Sequence, residues 1–468
     1  MFQNFRKRPT EIIWLFASFM LLQFVILRMG NQAGRGFLPD RRQELVYLFL
    51  QCAVIPGFLL HAPACRLLKG GRSCGAIITT AAVLCGAGGE MMLFLPGDSL
   101  PYLIVTGLTV FLLGFTGGAV YLRLCFLMED ASCAGLSLGL GYAIAVALQF
   151  CLQLQWTVKP ALAVLLALSC AGIVLPLTRE QKTEPTVPSQ ECRKMPVKEL
   201  LFASVVTFAL LLFSGYYNRY IHHLQVASGY GEYNVYTWPR LLMIPASLLF
   251  GGLGDLKNGR YLPISTLCVS ALAILNTSLL GRETYLLNMG LYYVSLSAVI
   301  MFYHLVFLRL SPRAAHPALW ACMGRVLDSA CVLLTFLIRL SEQSQATVLL
   351  IEIAALTAAI VLMAVGGAFN LSPAGTSEET VPAAPTEPAE STPPAVDPFD
   401  ALREQYGLTP GELRVFRELV LTEDKQAAIG DRLSIKVRTV QANVTAIYRK
   451  TGVSTRAGLV QLFRGIGQ

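Results

Sequence analysis

The sequence predicts an all-α protein: a polytopic bundle of twelve transmembrane helices, six plus six, followed by a small C-terminal domain of four helices. Three observations carry this. First, the 468 residues are 54% hydrophobic and only 14% charged, with mean hydropathy +0.56, where globular domains carry about 25% charge. Second, the apolar residues of 1–370 are gathered into blocks long enough to span a bilayer, which takes roughly 20 helical residues. Third, from about residue 399 the pattern changes to the three- and four-residue spacing of amphipathic soluble helices. The expected domains are therefore 1–370, with halves of about 1–177 and 199–370, then a connecting segment 371–398 and a C-terminal domain 399–468.

The apolar blocks fall near 11–29, 44–62, 75–95, 101–123, 133–152, 157–177, 199–220, 236–254, 261–280, 285–309, 318–340 and 346–369. Only helices or closed barrels satisfy the backbone in lipid, and these blocks are too long and too uniformly apolar for barrel strands. "FRKRP" before the first block is a basic flank, and no small-residue cleavage site follows, so a retained first helix is expected. With the N-terminus inside, the inner connectors hold sixteen Lys and Arg and the outer ones eight. That bias places both termini on the cytoplasmic side, although "GRGFLPDRR" in the first outer loop runs against it. The twelve cysteines show no CxxC and mostly lie inside apolar blocks, as small buried hydrophobes do.

The longest inner connector separates blocks six and seven. "RLLKGGR" (Arg66–Arg72) lies between blocks two and three, and "GGLGDLKNGR" (Gly251–Arg260) lies between blocks eight and nine. Gly- and base-containing turns at matching places suggest two repeated halves. The arrangement resembles the major facilitator superfamily of transporters, in which a Gly-rich loop with Asp and Arg joins those same spans. Gly251, Asp255, Gly259 and Arg260 fall near that pattern. The second loop is one residue longer between its Asp and its Gly-Arg, and the first half lacks the Asp. "GAGGE" (Gly86–Glu90) lacks the strand and the Lys of a phosphate loop, so close helix packing is expected there.

Residues 371–398 are rich in Pro, Ala, Thr and Glu and contain no Lys or Arg. Such a segment buries too little apolar surface to fold. As a coil it would span roughly 30 Å, and as extended polyproline roughly 80 Å. Beyond it, Thr409 with Glu412 forms a capping-box pattern ahead of Leu413, Phe416, Leu419 and Val420. A second helix is expected over Lys425–Leu433, with Ala428, Ile429 and Leu433 inward. A third is expected over Val437–Thr451, burying Val440, Val444, Ile447 and Tyr448 and stopping at Gly452. A fourth begins near Ser454–Thr455.

This tail resembles the LuxR-type helix-turn-helix family over about 65 residues. The matching positions are Leu408, Thr409, Glu412, Ile429, Leu433, Ile435, Thr439, Val440, Val444, Ile447, Lys450, Gly452, Val453 and Arg456. Gly430, Lys436, Asn443 and Thr451 stand where the family usually has Ala, Ser, His and Leu. The third helix leaves Arg438, Gln441, Ala442 and Thr445 opposite its core face, where they would meet base edges of double-stranded DNA in the major groove. Lys436, Thr439, Arg449 and Lys450, near the ends and flanks, suit phosphates. A solvated face or a protein-docking helix is the alternative. The resemblance implies a homodimer through the fourth helix, with Ala457, Leu459, Val460 and Leu462 as candidates. Packing of that helix back on the first is the other reading.

Polar groups inside spans are costly and mark function by default. Arg325 and Asp328 lie three apart and can pair on one helix face. Arg240 follows Pro239 near the start of block eight. Glu352 lies in block twelve, Glu90 late in block three, and Gln149 and Gln153 at the end of block five. They either line a central cavity for a polar or charged small-molecule ligand or fix the bundle by internal pairing; Glu90 suits the outer surface. The Tyr-rich loop Tyr216–Arg240 suits an interfacial aromatic belt, and a mobile ligand mouth is the weaker reading there. No paired catalytic carboxylates, Ser-His-Asp set, zinc-ligand set or nucleotide loop occurs, so neither an enzyme nor a cofactor is expected. The reading as a whole is a regulator in a bacterial inner membrane, with a transporter-like bundle sensing a small molecule and controlling a DNA-binding tail. A working transporter with a regulatory tail is the alternative.

Overall fold

The computed structural model describes residues 2–31, 33, 42–67, 72–129, 131, 133–153, 159–180, 199–212, 238–277, 285–337, 344–365, 399, 406–421, 426, 429, 433, 437–453, 456, 459, 462 and 463. Regular structure among them is helical throughout, with no strand. The chain divides into two compact units, Met1–Ser377 and Glu378–Gln468, and the division falls inside 371–398.

The N-terminal unit contains α1 (Phe2–Gly30), α2 (Arg42–Leu67), α3 (Arg72–Phe94), α4 (Leu100–Glu129), α5 (Ala134–Gln153) and α6 (Lys159–Glu180). They are followed by α7 (Glu199–Leu212). Then come α8 (Met243–Asp255), α9 (Tyr261–Thr277), α10 (Tyr285–Leu310), α11 (Pro317–Ala321), α12 (Met323–Leu337) and α13 (Gln345–Val365). Every expected block contains a described helix. Among the described residues, six helical stretches are long and apolar enough to cross a membrane: Pro9–Gly30, Gly75–Phe94, Leu100–Met128, Ala134–Cys151, Lys159–Thr178 and Leu286–Arg313. Leu67, Phe94, Leu168 and Leu275 are exposed on helix surfaces, as lipid-facing residues would be.

Two blocks differ from the smooth helices expected. Block eight opens with a 3-10 turn, Trp238–Leu242, before α8 begins. Pro239 within it has no amide hydrogen to donate. Block eleven breaks at Cys322 into α11 and α12. There the Sγ of Cys322 sits 3.3 Å from the Leu319 carbonyl oxygen, and the amides of Arg325 and Val326 both reach the Cys322 carbonyl oxygen, at 3.0 and 3.1 Å. Residues 213–237, which hold the end of block seven and most of the Tyr-rich loop, lie outside the described residues, as does all of 371–398.

Within the first half α1 packs on α5 and α6, α2 on α4, and α3 on α4 and α6; in the second half α10 packs on α8 and α9, and α9 on α13. The halves meet where α5 lies along α8, α2 against α12, and α4 against α10 and α11. The α5–α8 seam is made of small residues. A Cβ on Gly135 would run into the carbonyl oxygen of Gly251, and one on Gly139 into that of Ser247. Backbones this close gain dispersion contacts along their whole length, which is what holds helices together where lipid removes the hydrophobic drive. The "GAGGE" stretch packs closely too, with Gly88 against Thr109 of α4 and Gly86 against Cys170 of α6.

The C-terminal unit has its own core of Phe399, Leu408, Val415, Phe416, Leu419, Ile429, Val440, Val444, Ile447 and Leu459. Its described helices are α14 (Pro410–Leu421) and α15 (Val437–Thr451). The capping box forms as the sequence predicts: the Glu412 amide donates to Thr409 Oγ1 at 3.3 Å and the Thr409 amide to Glu412 Oε2 at 2.7 Å. Helix α15 has the predicted bounds and ends at Gly452, whose φ of +70° is the left-handed stop that glycine adopts without strain. The Arg456 Nε donates to the Leu419 carbonyl oxygen at 2.8 Å, tying the last described helical residues to α14.

Candidate functional site

A cavity of about 230 Å³ opens between the helices of the N-terminal unit. Its wall takes Gln23 and Phe24 from α1, Tyr142 from α5, Tyr292 and Tyr303 from α10, and Arg325 and Asp328 from α12, with Arg240 from the 3-10 turn before α8. Arg240, Arg325 and Asp328, three of the intramembrane charges singled out in the sequence, therefore meet at one place. Glu352 does not join them. It is buried in α13, which packs on α9, and its Oε1 has no hydrogen-bond partner among the described residues.

Arg325 Nη1 donates to Asp328 Oδ2 at 2.5 Å and to the Tyr303 hydroxyl at 3.1 Å. The predicted pair thus forms, and α10 contributes a third member. Arg240 Nη2 donates to Gln149 Oε1 at 2.7 Å, and its guanidinium lies 5.5 Å from the Phe24 ring centroid, within reach of a cation–π contact. Gln149 thereby holds a wall residue. Sequence reading passed over Gln23, Tyr142, Tyr292 and Tyr303. Gln23 was open to the argument applied to Gln149, since it is an amide inside an apolar span. The tyrosines carry no such signal, because aromatic residues in spans are commonly core.

Below the cavity, towards the end where α1 begins, an aromatic layer joins the halves. Phe16 meets the His304 ring edge-on at 5.1 Å, and Phe19 meets Tyr121 at 5.5 Å. His304 Nδ1 lies 2.7 Å from the Ile300 carbonyl oxygen and Nε2 lies 2.8 Å from the Tyr121 hydroxyl. A carbonyl only accepts, so in the neutral ring Nδ1 carries the proton and Nε2 accepts from Tyr121. That bond crosses from α4 to α10.

The same end is held by charge. Arg123 of α4 pairs with Glu11 of α1 at 2.9 Å. Asp255, the carboxylate of the "GGLGDLKNGR" loop, accepts from the Gly135 and Leu136 amides at 2.7 and 2.8 Å. These are unpaired donors of the first turn of α5, where a helix dipole favours negative charge. Its cationic partner is Arg309 of α10 at 3.0 Å, which also donates to the Gly254 carbonyl oxygen at 2.6 Å. The loop pattern pointed to Arg260, which is exposed; Arg309 does the pairing. Gly259 has φ +82°, and a Cβ there would also press on Arg309 Nη1 at 2.8 Å.

In the C-terminal unit the face of α15 away from the core carries Arg438, Thr439, Gln441, Ala442, Thr445 and Arg449, all exposed. The Thr445 hydroxyl donates to the Gln441 carbonyl oxygen at 3.0 Å, so its donor is held within the helix. Lys450 sits differently from the phosphate contact expected of it. Its Nζ is 2.7 Å from Glu412 Oε2 and 2.9 Å from the Gly407 carbonyl oxygen, tying α15 to the start of α14. Burial opposes charge on Glu412, but hydrogen bonds from Lys450 and Thr409 outweigh it and hold the carboxyl below its ordinary range. Leu459 is fully buried in the unit's own core, so that side chain packs back on its own unit, and Leu462 lies against the same core. Lys436, Ala457 and Val460 lie outside the described residues.

No family model matches the chain, and no curated protein matches it. Among solved structures the chain is similar to the human organic anion transporter MFSD10 (TETRAN), with TM-score 0.56 and 13% identity, over 76% of this chain and 99% of that one. At that identity the likeness speaks to fold alone. It agrees with a multi-pass helical membrane fold.

Proposed function

We propose that the chain is a membrane-anchored transcription regulator. The transporter-like unit takes up a small molecule in the central cavity, and the C-terminal unit reads double-stranded DNA as a LuxR-type helix-turn-helix domain, pairing with a second copy. Twelve spans would bring that unit back to the cytoplasmic face of a bacterial inner membrane. The observation that carries the reading is the exposed row Arg438, Gln441, Ala442 and Thr445 on a helix whose opposite face, Val440, Val444 and Ile447, is core. The row pairs a guanidinium and an amide with small side chains, the chemistry that reads base edges in the major groove. The ligand acts only if it binds two states of the bundle differently, and the aromatic layer between α1, α4 and α10 is where those states would differ.

Nuclease footprinting of the chain's own promoter region by the full protein in nanodiscs tests this. A protected site is expected, with Gln441→Ala shifting base preference by about 1–3 kcal/mol at one position. No protection, even at low salt, sinks the DNA reading.

A second reading, a working secondary transporter with a regulatory tail, is favoured by the fold likeness and by Asp255 joining the two halves at the α5 amides. Saturable uptake into proteoliposomes by residues 1–377 would establish it.

A further inference from the structure

Two side-chain atoms of cavity-wall residues, one on Arg325 and one on Gln23, are buried without a hydrogen-bond partner among the described residues. Arg325 uses a single nitrogen, Nη1, for both Asp328 and Tyr303. Its Nε is buried with no hydrogen-bond partner among the described residues. Nε and Nη2 form the side edge of a guanidinium, two parallel N–H groups at the spacing of a carboxylate's oxygens. Gln23, 4% exposed, has its side-chain oxygen in the same unpartnered condition. A fold that only needed to fix Arg325 would turn that edge to a protein acceptor, since a buried donor left unpaired is costly.

Among the described residues the charges on the wall are two guanidiniums, Arg240 and Arg325, and one carboxylate, Asp328. A guest with a single negative charge brings that lining to neutrality. The remaining surface is aromatic and aliphatic: Phe24, Tyr142, Tyr292 and Leu296. The volume of about 230 Å³ lies below the roughly 300–1,000 Å³ of drug-sized sites, which limits the guest to about one ring and a short chain.

From this we infer that the cavity binds a small aromatic monocarboxylate, its carboxylate on the Nε–Nη2 edge of Arg325, a polar substituent at Gln23 and its ring among Phe24, Tyr142 and Tyr292. The inference rests on the cavity being the ligand site of the proposed function and adds the ligand's class. Arg325 is reached through α12, which starts at the helix break, and through Tyr303, which stacks on His304 at 4.4 Å. A guest on Arg325 is therefore linked through Tyr303 to the aromatic layer that joins the halves.

The test is calorimetric titration of the full chain in nanodiscs with 3-phenylpropionate, 3-phenylpropionamide and 3-phenylpropylamine. The carboxylate is expected to bind, with the amide and the amine weaker by at least about tenfold, as loss of a charge-assisted bidentate pair implies. Arg325→Lys keeps the charge but loses the fork, and should weaken the carboxylate by about tenfold or more. Gln23→Leu leaves the Arg325–Asp328 pair untouched and should weaken a 4-hydroxylated carboxylate about threefold relative to the unsubstituted one. It serves as the test should Arg325→Lys not fold. Equal binding of carboxylate and amide, preferential binding of the amine, no effect of either variant, or no carboxylate binding overturns the assignment. A promoter footprint that persists in that case leaves the regulator reading standing. A lost footprint with carboxylate binding intact removes the regulator and keeps the site.

Discussion

In the C-terminal unit the buried carboxylate Glu412 accepts from the Thr409 amide and from Lys450, while the Glu412 amide donates to Thr409 Oγ1. In the N-terminal unit Gln23, Arg325 and Glu352 keep buried polar atoms without partners among the described residues. The contrast runs inside the bundle too. The end near Asp255 saturates that carboxylate with two amides and Arg309, while the cavity wall leaves Arg325 Nε and Gln23 Oε1 without partners among the described residues. Saturated groups hold elements in place; the unsaturated atoms at the cavity wall are those the inferred guest would meet. Position in the fold separates scaffold from site more sharply than residue type does, since arginine and aspartate serve both.

The largest effect should come from the seam between the halves. Gly139→Leu would force the α5 and α8 backbones apart at the Ser247 carbonyl. The expected loss is at least about 3 kcal/mol, the upper range for overpacking, because backbone cannot rotate away. It would be read as loss of the monodisperse peak and of cooperative melting in detergent. A variant that melts like the parent would mean that the halves are held elsewhere.

Next in size is Asp255→Ala, which uncaps α5 and strands Arg309. About 2–3 kcal/mol is expected, less than the roughly 3–5 of a fully buried pair because Arg309 is partly exposed. Asp255→Asn should recover part of it, since an amide oxygen still accepts from one of the two N–H groups. If Asn and Ala variants melt alike, the carboxylate is not acting as a cap.

In the C-terminal unit the bounds and core faces of α14 and α15 were readable in the sequence, whereas most of the expected second and fourth helices lies outside the described residues. Its helices are amphipathic, so Val440, Val444 and Ile447 announce a core face by spacing, and Thr409, Glu412 and Gly452 announce the ends. The bundle was readable only as blocks. A helix apolar all round has no face to betray, so which side of α10 lines a cavity is not in its hydrophobic pattern. Intramembrane charge was the usable signal, and it found Arg240, Arg325 and Asp328. It missed the partnership of Asp255 with Arg309, because that pairing joins a loop to a helix 54 residues on, a separation no local pattern spans. It also passed over His304 and Gln23, polar residues inside spans.

The smallest effects separate two adjacent cations. Lys450 ties α15 to Glu412 and Gly407, whereas Arg449 is exposed beside it. In residues 378–468 expressed alone, Lys450→Ala should cost about 1–2 kcal/mol, as expected for a charge-assisted hydrogen bond to a mostly buried acceptor. Arg449→Ala should stay within about 0.5 kcal/mol and instead lower the salt slope of DNA binding by about 1. The pH dependence sharpens the difference. The carboxyl of Glu412 is held below its ordinary range in the folded unit, so it adds stability that is fully present above that range. That stability is lost as pH falls through the folded value. Melting followed from about pH 7 to about pH 3 should show this acid loss in the parent and in Arg449→Ala, and a flatter profile in Lys450→Ala. Equal acid sensitivity in all three would place the protection of Glu412 in the capping box with Thr409 alone and return Lys450 to the phosphate role its position first suggested.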